Sequence, residues 1–340
     1  MPGNMQTYAD QNQITTAYAY TEMLRNAEPV TILAKLGLTK PIPKNKSELT
    51  KFRRVVPFTA VTTPLQEGVT PTAHGISYQD VSVYMLQFGE VVAITDKVSN
   101  LNEDPVIQHA SREAGRNAGR TLEQVIWGVV KGGTSVFYAN GLSRSAVNTP
   151  ISLSRQRAVT RFLKAQKAEK FTEILSASQN IGTQPIEAAY ICVGHTDLES
   201  DIRNMAGFLP TSAYSQQSFI MPQAIGRVED VRYVLSPDLQ SIPSAGGAPG
   251  STVVSANGTA ADIYPLLYFG TEAFGCTPLK NSKGASGSNM AIVPTVVQPD
   301  SPDKSDPLGQ RGFVGWKTWF NAVRLNEFWM ARVEVAASAL

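Results

Sequence analysis

Hydrophobic positions along the chain change their period several times, and each change marks a different kind of element. Residues 1–50 carry one short helical pattern (Tyr18, Met23, Leu24, Ala27), a break at Gly37, and then Pro41, Pro43 and several lysines. That is too little periodic apolar content for an independent core, so the segment reads as an arm that docks on something else. Phe52 to Thr62 and Asp80 to Ile94 are rich in the β-branched and aromatic residues that suit strands. Pro64, Gly68, Pro71 and Gly75 lie between them, so residues 51–95 read as a long β-hairpin with its tip at Thr63 to Ser77. A two-stranded ribbon is marginally stable alone in water, so this one needs a surface, in its own domain or on another subunit.

The sharpest local pattern follows. Asp104-Pro105 reads as an N-cap followed by proline at the first helical position, and Gly132-Gly133 closes the far end. Between them Val106, Ala110, Ala114, Ala118, Leu122 and Ile126 recur every fourth residue. The spacing predicts one helix over 105–131, about 40 Å long at 1.5 Å per residue, with a face of small side chains that permits close approach. Arg112, Arg116 and Arg120 form a second stripe on it, and Arg155, Arg157, Arg161, Lys164, Lys167 and Lys170 form a comparable basic cluster further on. Each reads as a solvated face or as a contact for an anionic partner such as nucleic acid.

From Ile186 the pattern turns to strand, helix and loop. Ala188 to Val193 reads as a buried strand, Thr196-Asp197-Leu198-Glu199 as a capping box opening a helix, and Gly226 to Leu235 as one alternating strand. Residues 241–260 read as exposed loop, and Tyr264 to Phe269 as another strand. A proline-bearing tract (Pro299, Pro302, Pro307) precedes the return to the first unit. From Phe313 to Val335 the chain concentrates Trp316, Trp319, Phe320, Phe328 and Trp329, holding three of its four tryptophans. Such density points to core or subunit interface and not to a ligand platform.

Composition narrows the function. At 340 residues two compact units, or one unit with long excursions, are expected, and the 17% of charged residues, below the usual ~25%, implies a surface that is neutral or covered by something. A net charge of +2 argues against a dedicated nucleic-acid binder. Cys192 and Cys276 are too few for a disulfide scaffold and fit a reducing compartment. The start Met1 to Gln6 lacks the regions of a signal peptide, and no apolar run approaches the ~18 residues of a membrane span, so a soluble chain made in the cytosol is expected. Asn257-Gly258-Thr259 matches a glycosylation sequon, a reading that requires secretion.

Chemistry is sparse. Cys192, His195, Asp197, Glu199 and Asp201 could together ligate a metal, but the cysteine falls in the apolar strand and the acids at a helix start, where unpaired amides favour them. No phosphate-cradling loop, dinucleotide fingerprint or serine elbow occurs. No catalytic residue, metal or cofactor is therefore expected.

The order of these pieces resembles the major capsid proteins of tailed bacteriophages with the Hong Kong 97 fold, an α+β, HK97-like arrangement of arm, long hairpin, long peripheral-domain helix and axial domain. Within it the chain is similar to the N-four-like podophage branch through four segments: Pro64-Leu65-Gln66-Glu67-Gly68-Val69-Thr70-Pro71, Gly226 to Arg232, Tyr268 to Gly275, and Asp306 to Lys317. The resemblance implies a virion shell of hexamers and pentamers around double-stranded DNA, assembled in the host cytoplasm, with a portal protein and possible scaffold and decoration proteins as further partners. It implies an arm at 1–50, an extended loop at 51–95 reaching over a neighbour, a peripheral domain at 96–179 with its return at 297–340, and an axial domain at 180–296. Pro64, Leu65, Glu67 and Gly68 become intersubunit contacts at the tip, Arg112, Arg116 and Arg120 an inner face toward DNA or acidic neighbours, and Trp316, Trp319, Phe320 and Trp329 core or interface. Members that crosslink their subunits use lysine and asparagine; the tip here has no matching lysine, so noncovalent assembly is expected. An oligomeric tail or decoration protein is the alternative, and a hydrolase of unrecognised type a third reading.

Overall fold

The computed structural model describes residue 23 and residues 31–56, 58–65, 67–68, 70, 73–101, 104–176, 182–213, 221–280, 282–283, 289–290, 292–299, 302 and 306–339. Most of the arm, including Tyr18, Leu24 and Ala27, lies outside the described residues, as do Gln66, Val69 and Pro71 of the hairpin tip. The principal strands and helices, in chain order, are β1 (Leu49–Val55), β2 (Tyr78–Tyr84), β3 (Leu86–Thr95), α1 (Val106–Val130), α2 (Leu153–Ala165), β4 (Gly182–Gly194), β5 (Ala224–Val228), β6 (Val231–Leu235), β7 (Tyr264–Phe269), β8 (Phe274–Lys280), β9 (Ile292–Val297), β10 (Arg311–Arg324) and β11 (Met330–Val335).

Among the described residues two large sheets carry the body. A six-stranded sheet is built around β10, whose first ten residues pair antiparallel with β3 on one side while β9 and then β8 line the other. Side chains along β10 alternate, and Val314, Trp316, Thr318, Phe320 and Ala322 are buried. Helix α1 packs on this sheet: Ala114, Ala118, Leu122, Ile126, Trp127 and Val130 join Trp316 and Phe320 in one apolar cluster. The eight-stranded sheet runs from Val136–Tyr138 through β11, β7, β4, β6 and β5 to Phe208–Pro210, with Phe171–Ser176 paired to β4. Its central strands are apolar on both faces because both are covered: every residue of β6 and of β7 is buried.

Several elements differ from the sequence reading. Pro105 occupies the cap position of α1 with no side-chain cap, and Asp104 contributes its carbonyl to Val106 N instead. The far end of α1 is closed by two arginines from the C-terminal segment, Arg324 donating to Val129 O and Arg332 to Lys131 O. Guanidinium groups there add donors to carbonyls at the helix end, where the regular ladder stops. The stretch from Gly226 to Leu235 is two strands, β5 and β6, joined by the two-residue turn Glu229-Asp230 with Glu229 at φ 51°. The Thr196–Glu199 segment forms a short 3-10 turn leading into the helix Glu199–Arg203, and the capping side chain is that of His195, which accepts from Asp197 N.

The tract from 313 to 335, read as one return to the first unit, divides between the sheets: β10 lies in the six-stranded sheet and β11 in the eight-stranded one. The chain also crosses between sheets in the Tyr268–Gly275 segment. Here Glu272 takes φ 58°, and Gly270 lies so close to the Glu169 carbonyl that a Cβ would collide with it. Sheet membership therefore changes near 270–273.

Candidate assembly surface

The ribbon formed by β1 and β2 pairs from Leu49↔Tyr84 to Val55↔Tyr78, with one further bond from Val56 N to Ser77 O. The second strand-like run bends at Met85, and its later half leaves the ribbon as β3. Among the described residues the ladder is accordingly shorter than the sequence reading, its last bond being the one at Val56 and not one near Thr63. Proline at 57 and 71 supplies no N–H to extend the ladder. The base is anchored: Phe52, Val83 and Met85 are buried, and Asn321 Nδ2 donates to Tyr84 O.

Beyond that base several large apolar side chains stand uncovered among the described residues. Phe58 is 62% exposed, Val61 78%, Leu65 75% and Ile76 59%. Pro64, Glu67 and Gly68 are exposed beside them, Gly68 at φ 77°. Large apolar side chains concentrated on one projection are what an intermolecular contact leaves behind when a single chain is viewed alone.

The arginine stripe stands on the outer face of α1. All three residues are exposed; Arg116 is held by Glu113 at 2.8 Å and Arg120 faces Asp238 at 3.5 Å. Part of the second basic cluster is used within the chain. Arg157 bonds Glu229, while Lys164 and Lys170 converge on Asp230, whose carboxyl is held below its ordinary range chiefly by the Lys164 hydrogen bond. The acids of the Gly226–Arg232 segment thus pin the β5–β6 turn to the end of α2.

The aromatic residues do not form one patch. Trp316 and Phe320 are buried against α1, whereas Trp319 points to the opposite face of β10 and is 36% exposed. Trp329 is half-buried with Nε1 donating to Gln166 O, and Phe328 beside it is 56% exposed.

The role of one residue escaped the sequence reading, in which Glu123 merely offsets part of the arginine stripe. Glu123 on α1 is 1% exposed and accepts from the backbone N–H groups of Ile32 and Leu33, where the arm starts the short helix Leu33–Leu36. Burial raises its pKa from 4.5 to about 7 against the lowering effect of those bonds, and among the described residues its Oε2 has no partner. Ser111, Gly115, Gly119, Glu123 and Trp127 make a second buried stripe at a spacing of four, and Met23, Ile32 and Leu33 of the arm meet it. A Cβ at Gly115 would run into the carbonyl oxygen of Met23. This run of small residues ending in a carboxylate was the available signal.

Of the possible metal ligands only His195 and Asp197 come together, Nδ1 lying 3.2 Å from Oδ2. Cys192 is fully buried, its thiol pushed well up by burial; Asp197 accepts from Tyr264, Glu199 pairs with Arg203, and Asp201 holds Ser338. Among the described residues no three His, Cys, Asp or Glu side chains gather as metal ligands would, and no helix is long and apolar enough to cross a membrane.

A family model described as phage capsid protein matches residues 79–323. The fold aligns with the capsid of Ralstonia phage GP4 at a TM-score of 0.67 and 11% identity, over 89% of this chain and 88% of that one. The head structure of Helicobacter pylori bacteriophage KHP40 aligns at 0.60 and 10% identity, covering 91% and 89%. The capsid of cyanophage Pam1 aligns at 0.59 and 13% identity, covering 93% of each. A search of curated proteins by sequence finds no match.

Proposed function

The chain belongs to the phage capsid protein family and is a major capsid protein of the Hong Kong 97 fold, and on that premise we propose that its copies tile a closed icosahedral head, as hexamers and pentamers, around double-stranded DNA. The observation that carries the tiling is the ribbon. Its base is locked into the body while Phe58, Val61 and Leu65 project without cover, so a neighbouring subunit is the surface that stabilises it. Pro64, Leu65, Glu67 and Gly68 then make the contact, with 51–95 as the extended loop. The domain division (arm 1–50, peripheral 96–179 and 297–340, axial 180–296) follows from the same reading.

Arg112, Arg116 and Arg120 are assigned to the inner face. All three guanidinium groups are exposed on one face of α1, and the sequence-independent attraction of such groups for phosphates suits a packaged genome. Replacing all three by glutamine reduces DNA retention in particles; unchanged retention refutes the assignment. A portal protein, and scaffold or decoration proteins, complete the proposed partners, with assembly in the host cytoplasm. Placement in the N-four-like branch rests on the four sequence segments.

Electron microscopy of the purified chain tests the central proposal. Closed shells or hexamers support it; tubes or fibres favour a tail protein. Denaturing electrophoresis of intact particles gives a single monomer band if assembly is noncovalent, and a ladder otherwise.

A further inference from the structure

The six-stranded sheet has an open edge at β3, which pairs with β10 along one side and with no strand along the other among the described residues. Asp96 N donates to Gln310 O, and that bond fixes the alternation of the antiparallel ladder before it. Leu86, Phe88, Glu90, Val92 and Ile94 turn their backbone groups toward β10, so Gln87, Gly89, Val91 and Ala93 turn theirs outward. Among the described residues none of those outward N–H and C=O groups has a partner. Short length, lysine or proline usually blunts such an edge; β3 is 10 residues long and has neither residue. Both sides of the edge are apolar and uncovered. Toward α1 lies a hollow of about 480 Å³ lined by Val92, Ile94, Val98, Val106 and Ala110, with His109 and Glu113 beside them. On the opposite face Val91 is 65% exposed. This edge calls for one more strand, carrying a large apolar side chain for the hollow.

The chain also holds a strand-forming run that has no ladder. Phe58-Thr59-Ala60-Val61-Thr62 completes the run whose residue types predict a strand, yet all five residues are exposed and none belongs to a sheet. The base of the ribbon is fixed to the body, and the run begins beyond the 7 paired residues of β1, about 24 Å further on at ~3.4 Å per residue. A chain therefore does not fill its own β3 edge. Two copies can, and a contact between different surfaces of identical subunits closes into a ring when the rotation allows.

We propose that residues 58–62 of one copy add as an antiparallel strand to the free edge of β3 in a second copy, Phe58 entering the hollow beside Ile94 and Val61 lying against Val91. The inference rests on the capsid reading and names the surface that receives the ribbon. In this register Ala60 stands opposite Val92 in a pair that exchanges no hydrogen bonds, with Cα atoms about 4.5 Å apart, within reach of a disulfide. Both native cysteines are buried, so introduced thiols report cleanly. Particles are assembled from full-length chains carrying Ala60→Cys and Val92→Cys together, then mildly oxidised and run without reductant. The expected result is a ladder of disulfide-linked subunits, absent from either single variant. Monomers only, in shells that form normally, overturn this contact and leave the capsid reading intact; dimers from Val92→Cys alone join two β3 edges to each other and overturn it equally. Absence of any particle from the unaltered chain defeats the capsid reading itself. Independently, Val91→Pro removes an N–H that the ladder to β10 does not use, so the denaturation midpoint of the subunit is expected to hold while shell yield falls about tenfold. A normal yield counts against pairing at this edge.

Discussion

The ribbon β1–β2 and the strands β6–β7 of the eight-stranded sheet are built from the same vocabulary of valine, isoleucine, leucine and aromatic residues, yet they meet opposite environments. Each residue of β6 and β7 is buried, while β1 and β2 bury only the end nearest the body. Intrinsic preference makes a strand in both places; what covers it differs. In the sheet the apolar surface is used up within the chain, whereas in the ribbon it is left for another copy. Subunit stability and assembly should therefore be separable by mutation.

The largest effect on the subunit is expected inside the sheet. Phe269→Ala removes a fully buried ring that makes edge-to-face contacts with Phe171 and Phe274. A loss of about 3–5 kcal/mol in chemical denaturation should follow, enough to threaten folding. Next comes the buried carboxyl on α1. Because Glu123 titrates at about 7 when folded, against 4.5 as its ordinary value, the folded state holds the proton more tightly. Stability from this group is full below about 4.5 and declines as pH rises through 7, by on the order of 3 kcal/mol in all. Glu123→Gln should abolish that decline, so its denaturation midpoint relative to the unaltered chain rises between pH 5 and pH 8; a constant difference contradicts the assignment.

A smaller effect is expected where the arm meets the helix. Gly115→Ala forces the Met23 carbonyl away at about 1–3 kcal/mol, partly offset by the better helix propensity of alanine. Hydrogen exchange should accelerate at Leu33–Leu36 while α1 stays protected. The smallest change in stability, within about 0.5 kcal/mol, is expected for Val61→Ser combined with Leu65→Ser on the exposed ribbon. The same pair should prevent shell formation in electron microscopy, and normal shells would erase the contrast between the two regions.

What could be read from the residues follows the same division. Helix α1 was legible because its small apolar residues repeat every fourth position between strong breakers, although its cap was not: proline at 105 sits one place earlier than its usual preference predicts. The β5–β6 hairpin was illegible because a two-residue turn preserves the alternation across it, and because its bend is carried by Glu229 where a glycine or asparagine would have signalled it. The ribbon was legible as a hairpin but not in its length, which depends on where pairing partners run out. Glu123 was hidden because a lone acid on a helix with many charges announces nothing until the arm is laid over it. Of the four segments that carry the resemblance, three have local structural reasons: a tight ion-paired turn, a crossing between sheets, and a closed turn entering the longest strand among the described residues.

That longest strand has a mechanical consequence. Ten consecutive residues of β10, from Arg311 to Phe320, are paired with β3, so tension applied along it shears the whole ladder at once. Prising β1 from β2 at their bases breaks the ribbon pair by pair, like a zip. Under internal pressure the first geometry resists and the second yields, so a stretched subunit should lengthen at its ribbon before its sheet slips.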